Sequence, residues 1–199
     1  MKVLIIVISR SGSTTLTEML SELLDYKSFH EPFNYISPKL INLNKDFPRV
    51  ICDNSVVKTI VTQFPNKVNN SIDFLLGYSR GFDKVILLSR KNKQHVYESL
   101  LHNYIKNLNG NWHEEYFYKN LSESTEVRSI VEKQYMYINK LSKLLHIPIT
   151  WYENLYSNDK YLIDIEIKKW DIESIQYENA IKYIDTKFKL RKNQKINLI

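Results

Sequence analysis

The chain has 199 residues, of which 43% are hydrophobic and 25% charged. That is the balance of one globular domain over residues 1–199, and it excludes a disordered or collagen-like chain. Cys52 is the only cysteine, which excludes an intrachain disulfide scaffold and a cysteine-based zinc site. The formal net charge is +6, built from 22 Lys and only 6 Arg beside 23 Ile and 19 Asn, the composition of an AT-rich coding sequence. Each Arg is therefore more informative than each Lys. A basic balance admits anionic ligands without choosing among them.

The first apolar run, residues 3–8 (VLIIVI), is too short for a signal-peptide core or a membrane span, and Arg10 follows without a small-residue cleavage site. The expectation is a cytoplasmic protein that needs no membrane. The run itself reads as a parallel strand buried on both faces. After the polar turn SRSGSTT, Leu16, Met19, Leu20, Leu23 and Leu24 form the apolar stripe of a helix. Residues 56–61 and 84–89 (KVILLS) are two further strands, the second ending in Ser89-Arg90. Val96, Leu100, Leu101, Tyr104, Ile105 and Leu108 mark the next helix, and Gly110-Asn111 a surface loop. A long helix carries Val127, Ile130, Val131, Gln134, Ile138, Leu141 and Leu145 on one face. Residues 147–152 (IPITWY) read as a fourth strand, and Tyr177, Ile181, Ile184 and Phe188 as a C-terminal helix. Strands alternating with helices predict an α/β fold with a parallel β-sheet flanked by helices.

Three segments carry chemistry. Arg10-Ser11-Gly12-Ser13-Thr14-Thr15 lies where a strand turns into a helix, whose first N–H groups are unpaired and carry partial positive charge. Gly12 lets backbone approach a ligand, the hydroxyls add donors and Arg10 adds a charged fork, which together describe an anion site. The competing reading is plain capping, since Ser and Thr are good N-caps. A nucleoside-triphosphatase P-loop is excluded, because it would need Gly in place of Val7 and Lys in place of Ser13. Arg90 ends a strand as Arg10 does, with Ser99 following in the next helix. Ligands of open α/β sheets bind at the carboxyl ends of strands, so Arg10 and Arg90 are expected on neighbouring termini, serving one ligand with two anionic groups. His30-Glu31-Pro32 pairs an imidazole with a carboxylate, a general-base candidate on either residue. Pro32 is expected to hold Glu31 extended, with His30 pointing the other way.

At this point the segments carry a resemblance. RSGSTT after a buried strand resembles the 5′-phosphosulfate loop of sulfotransferases that use 3′-phosphoadenosine 5′-phosphosulfate (PAPS). HEPFN resembles the Glu-containing segment of carbohydrate and bacterial members. LLSRKNKQHVYES resembles their 3′-phosphate motif, and TWYENL their "RYEDL". The four occur in family order between residues 3 and 155. There are departures: the proline that often precedes the loop Arg is Ser9, the "RYEDL" Arg and Asp are Trp151 and Asn154, and a C-terminal Gly-rich motif is absent.

The resemblance implies a P-loop nucleoside-triphosphatase-like fold and transfer of a sulfuryl group from PAPS to a hydroxyl or amine of a carbohydrate or small molecule. The other product is 3′-phosphoadenosine 5′-phosphate (PAP), and no metal is involved. It places Arg10, Ser11, Gly12, Ser13, Thr14 and Thr15 on the 5′-phosphosulfate, and Arg90 and Ser99 on the 3′-phosphate. Glu31 is the base and His30 the alternative. The lysines of residues 187–195 are left to cover the donor. Residues 112–118 are expected to shape the acceptor pocket, and Glu153 is expected to tie a neighbouring loop, with direct donor contact by residues 151–155 as the alternative. Two other readings stay open. One is a nucleotide or small-molecule kinase drafting Lys58 and Asp53. The other is a non-catalytic anion or nucleic-acid binder, which the scattered lysines do not favour.

Overall fold

In a computed structural model of the chain, the structure describes residues 1–33, 52–63, 70–108 and 124–196. Among them lie five strands, β1 (Lys2–Val7), β2 (Lys27–His30), β3 (Ser55–Ile60), β4 (Lys84–Ser89) and β5 (Ile149–Trp151). The helices are α1 (Ser13–Leu24), α2 (Ser71–Ser79), α3 (Lys93–Leu108), α4 (Ser124–Leu145), α5 (Tyr152–Leu155), α6 (Lys160–Lys168) and α7 (Tyr177–Ile196). All strands pair in parallel, in the order β2-β3-β1-β4-β5. The expected α/β fold, a parallel sheet flanked by helices, is the fold observed.

The central strand shows why the run VLIIVI contains no polar residue. Val3, Ile5 and Val7 face one layer, with Leu16, Met19 and Leu20 of α1 and Ile163, Ile181 and Ile184 of α6 and α7. Leu4, Ile6 and Ile8 face the other, with Leu75 of α2, Val96 of α3 and Val131 and Ile138 of α4. Side chains alternate along a strand, so both faces of β1 are interior and all six residues are fully buried.

Four elements were not expected from the sequence. β2 (KSFH) is a short, largely exposed edge strand without an apolar run. Helix α2 is capped by Asn70, whose side chain accepts the Ile72 N–H at 3.0 Å, and α6 by Asp159, which accepts the Tyr161 N–H at 2.9 Å. The expected strand 147–152 gives up its last residue to the single turn α5.

Parallel pairing puts every strand's carboxyl end on one rim of the sheet. In the β1–β4 register Val7 lies opposite Leu88, and the Ile8 N–H donates to the Leu88 carbonyl at 3.3 Å. The segments after β1 and β4, with Arg10 and Arg90, are therefore neighbours, as expected.

A candidate anion-binding cleft at the sheet rim

The loop between β1 and α1 has an uncommon backbone. Arg10 sits at φ 61° and Gly12 at φ 74°, whereas Ser11 between them is not in the left-handed region. Alternation of sign over successive residues turns their N–H groups toward one side, a concavity that suits an anion. Arg10 pays no glycine discount for this: a non-glycine residue there costs about 1 kcal/mol or more.

Gly12 is the N-cap of α1, and no side chain caps it. The plain capping reading of the serines and threonines does not describe this loop. The Ser11 hydroxyl donates back to the Ile8 carbonyl at 2.8 Å, and Ser13 is already helical. The first turn of α1 holds no acidic residue, so nothing there offsets the dipole of the helix end. Thr14 is exposed, and the Thr15 Oγ1 is buried without a partner among the described residues.

Gly12 also answers to its neighbours. A Cβ there would stand 2.6 Å from Cε2 of Tyr152 and 3.2 Å from Cε2 of Tyr156. The Tyr156 hydroxyl donates to the Gly12 carbonyl at 3.1 Å. On its face the Tyr152 ring carries the Arg90 guanidinium, 3.8 Å from the centroid. The Arg90 Nε is buried and has no hydrogen-bond partner among the described residues. Among the described residues this buried charged donor is held by stacking alone, and it is poised for an acceptor beyond them.

Two side chains far away in sequence fix this rim. Buried Gln134 of α4 accepts the Ser9 N–H at 2.9 Å, donates to the Ser9 hydroxyl at 2.9 Å and reaches Thr62 Oγ1 at 3.2 Å. The Tyr135 hydroxyl donates to the Arg90 carbonyl at 2.7 Å. Burial, reinforced by Glu153, pushes that phenol up to about 12. Gln134 was legible only as a member of the α4 stripe, where a polar residue on an apolar face was the available signal.

Glu153 does tie a neighbouring loop. Its carboxylate accepts the N–H groups of Lys91 and Asn92 at 2.9 and 3.2 Å. Asn154 accepts the Lys91 ammonium at 2.8 Å and donates to buried Glu166 at 2.7 Å. Glu153 and Asn154 thus brace the stretch after β4.

Arg10 and Ser99, assigned from sequence to opposite ends of one ligand, touch: the Arg10 Nε donates to the Ser99 Oγ at 2.7 Å.

Glu31 follows the edge strand β2 on the same rim. It accepts the Lys58 ammonium at 2.6 Å and the Gln63 amide at 3.2 Å, while its own N–H donates to the Lys58 carbonyl at 2.7 Å. The expectation that Pro32 keeps Glu31 extended is corrected here: Glu31 adopts φ 50°. The hydrogen bonds to Lys58 and Gln63 outweigh the local preference set by proline. His30 stands opposite Lys58 in the β2–β3 register. Partial desolvation lowers its pKa from the ordinary value, the Lys58 ammonium lowers it further, and Glu18 and Glu31 oppose.

The residues drafted for kinase chemistry stand apart. Lys58 is buried and paired with Glu31, and exposed Asp53 precedes β3, at the opposite end of the sheet from the loop. Among the described residues no group of three or more His, Cys, Asp or Glu could hold a metal ion, and no helix is long and apolar enough to cross a membrane. Residues 112–118 lie outside the described residues, as do the side chains of residues 187–195, so the acceptor pocket and the lysine cover are not described.

No protein-family model matches the chain, and no curated protein matches it. Among solved structures it is similar to a gluconokinase from Sinorhizobium meliloti 1021, at 13% identity and a TM-score of 0.31, over 73% of this chain and 95% of that one. A likeness at that score assigns no activity.

Proposed function

We propose that this chain is a nucleotide-dependent transferase and, within that class, a sulfotransferase that takes its sulfuryl group from PAPS. The observation that carries the reading is the loop at residues 10–12, whose φ angles alternate in sign ahead of an uncapped helix N-terminus. The buried Nε of Arg90 on the adjoining strand end, without a hydrogen-bond partner among the described residues, supports it. Donors fixed in advance around an anion suit group transfer, because positioning and charge stabilisation carry most of the rate.

In this reading Glu31, oriented by Lys58 and Gln63, takes the proton of the acceptor hydroxyl. The acceptor oxygen forms a bond to sulfur, the bond from sulfur to the bridging 5′-phosphate oxygen breaks, and PAP leaves with that electron pair. The loop N–H groups hold the 5′-phosphate as charge builds there.

Thermal-shift measurement with PAP, ATP with Mg²⁺ and a short oligonucleotide tests the reading. Stabilisation by PAP in preference to ATP with Mg²⁺ is the expected result. The reverse preference makes the protein a kinase. Binding to the oligonucleotide alone, falling steeply with salt, makes it a nucleic-acid binder.

A further inference from the structure

The single turn α5 touches both segments of the cleft. Its first residue, Tyr152, lies against the loop, where a Cβ on Gly12 would stand 2.6 Å from Cε2 of the ring. Tyr156, which ends the turn, donates its hydroxyl to the Gly12 carbonyl at 3.1 Å, and the two tyrosine rings pack with centroids 4.8 Å apart. The same turn holds the end of β4. The Arg90 guanidinium lies 3.8 Å from the centroid of the Tyr152 ring, and Glu153 accepts the N–H groups of the next two residues, Lys91 and Asn92. Glu153 puts one oxygen on each amide, so this carboxylate fixes backbone and does not neutralise Arg90. From the other layer the Tyr135 hydroxyl holds the Arg90 carbonyl at 2.7 Å. The backbone of Arg90 is thus fixed twice, and the Tyr152 ring decides where the side chain goes. Stacking engages the faces of a guanidinium and leaves its charge and its in-plane N–H groups for another partner, whereas an ion pair would use both. The Arg90 Nε, buried and without a hydrogen-bond partner among the described residues, is such a donor.

We propose that Tyr152 is a positioning residue, whose ring holds the Arg90 guanidinium in place for an anionic group of the ligand. Because the same ring walls the loop at Gly12, one side chain sets the spacing of the two anion-holding segments before the ligand arrives. This rests on the reading of the cleft as a nucleotide site.

Calorimetry on wild type, Arg90→Gln, Tyr152→Phe, Tyr152→Leu and the Arg90→Gln/Tyr152→Leu double variant tests it, with PAP and ATP with Mg²⁺ as the probes. Wild type alone decides the PAPS reading: if ATP with Mg²⁺ binds and PAP does not, that reading ends and the variants are compared with ATP. Binding of neither overturns both. Arg90→Gln should weaken the nucleotide about tenfold or more, the scale of a lost charge-assisted contact. Tyr152→Leu should weaken it about fivefold or more, the scale of a partly desolvated cation–π contact, and Tyr152→Phe, which keeps the ring face, should stay within about twofold of wild type. In the Arg90→Gln background Tyr152→Leu should change binding by less than about twofold, because the ring acts through that guanidinium. Equal factors in the two backgrounds overturn the proposal and leave the ring a wall of the loop only. Tyr152→Phe as weak as Tyr152→Leu overturns it too, as does wild-type affinity in either Tyr152→Leu or Arg90→Gln. If Tyr152→Leu does not fold, the Arg90 Nε–H signal in proton–nitrogen correlation spectra, identified by its loss in Arg90→Gln, decides. It should move on addition of nucleotide to wild type and to Tyr152→Phe alike, and a signal that stays in place in either overturns the proposal.

Discussion

Replacing Gly12 by alanine tests the account of the loop most directly. Two costs add. The backbone at φ 74° is one that an L-residue adopts at about 1–2 kcal/mol. The new Cβ would stand 2.6 and 2.8 Å from Cε2 and Cδ2 of Tyr152, an overlap the ring relieves only by moving, at a further ~1–3 kcal/mol. The total, about 2–5 kcal/mol, corresponds in a domain of this size to a melting temperature lower by roughly 4–20 °C. The second cost is separable. In a Tyr152→Ala background the overlap with that ring is gone, so Gly12→Ala should there cost ~1–3 kcal/mol less, which denaturant unfolding of the four proteins of a double-mutant cycle measures. A Gly12→Ala protein that melts within about 2 °C of wild type would refute the reasoning. A coupling energy near zero would place the whole penalty in the backbone and remove Tyr152 from the account.

Three further outcomes are expected. Glu31→Gln should keep PAP affinity while kcat falls about 100-fold or more, with a lowered melting temperature because the buried Lys58 ammonium loses its charge partner, and His30→Ala should cost kcat much less; a dead His30→Ala beside an active Glu31→Gln transfers the base to His30. Glu153→Gln weakens the acceptor for the Lys91 and Asn92 N–H groups, so its unfolding midpoint should fall while the donor KM stays near wild type; abolished donor binding at an unchanged midpoint contradicts the bracing role. Because the folded-state pKa of His30 is lowered, the unfolded chain binds more protons between that pKa and the ordinary value of 6.5. The His30 contribution is present above pH 6.5 and is lost as pH falls through the lowered value. A His30→Asn protein should show a flatter stability profile across that window.

The buried elements were legible because their pattern is their physics. A strand covered on both faces needs an unbroken apolar run, and residues 3–8 supply one; a helix over a sheet needs a 3.6-residue stripe, and α1 and α4 supply theirs. β2 was illegible because KSFH, at the sheet edge, is held by its hydrogen bonds to β3 rather than by burial. Helices α2 and α6 did carry signals, in Asn70 and Asp159, but a polar residue before a short mixed segment also fits a turn. In the cleft, the adjacency of Arg10 and Arg90 followed from two strands that end alike. The direction in which each side chain leaves its strand did not, because it depends on the left-handed turn at Arg10 and on Tyr152, set by contacts across the whole chain. Gln134 shows the same limit: its three hydrogen bonds go to Ser9 and Thr62, which the fold, not the sequence order, brings to it.

The placing of β1 at the middle of the sheet has a consequence for how the protein is made. Both of its neighbours come later in the chain: Lys2 waits for Ser55, and Val3 for Lys84. At a synthesis rate of roughly 5–20 residues per second, the interval between leaving the ribosome and meeting the partner is about 3–10 s for β3 and about 4–16 s for β4. Through that interval the nascent chain presents VLIIVI with neither neighbouring strand in place and no proline within the run, the composition of a segment that zips to copies of itself. The strand that is deepest in the finished molecule is thus its most hazardous stretch during translation. Yield of the native protein should depend more on chaperones that shelter short apolar segments at the ribosome than on the stability of the completed sheet.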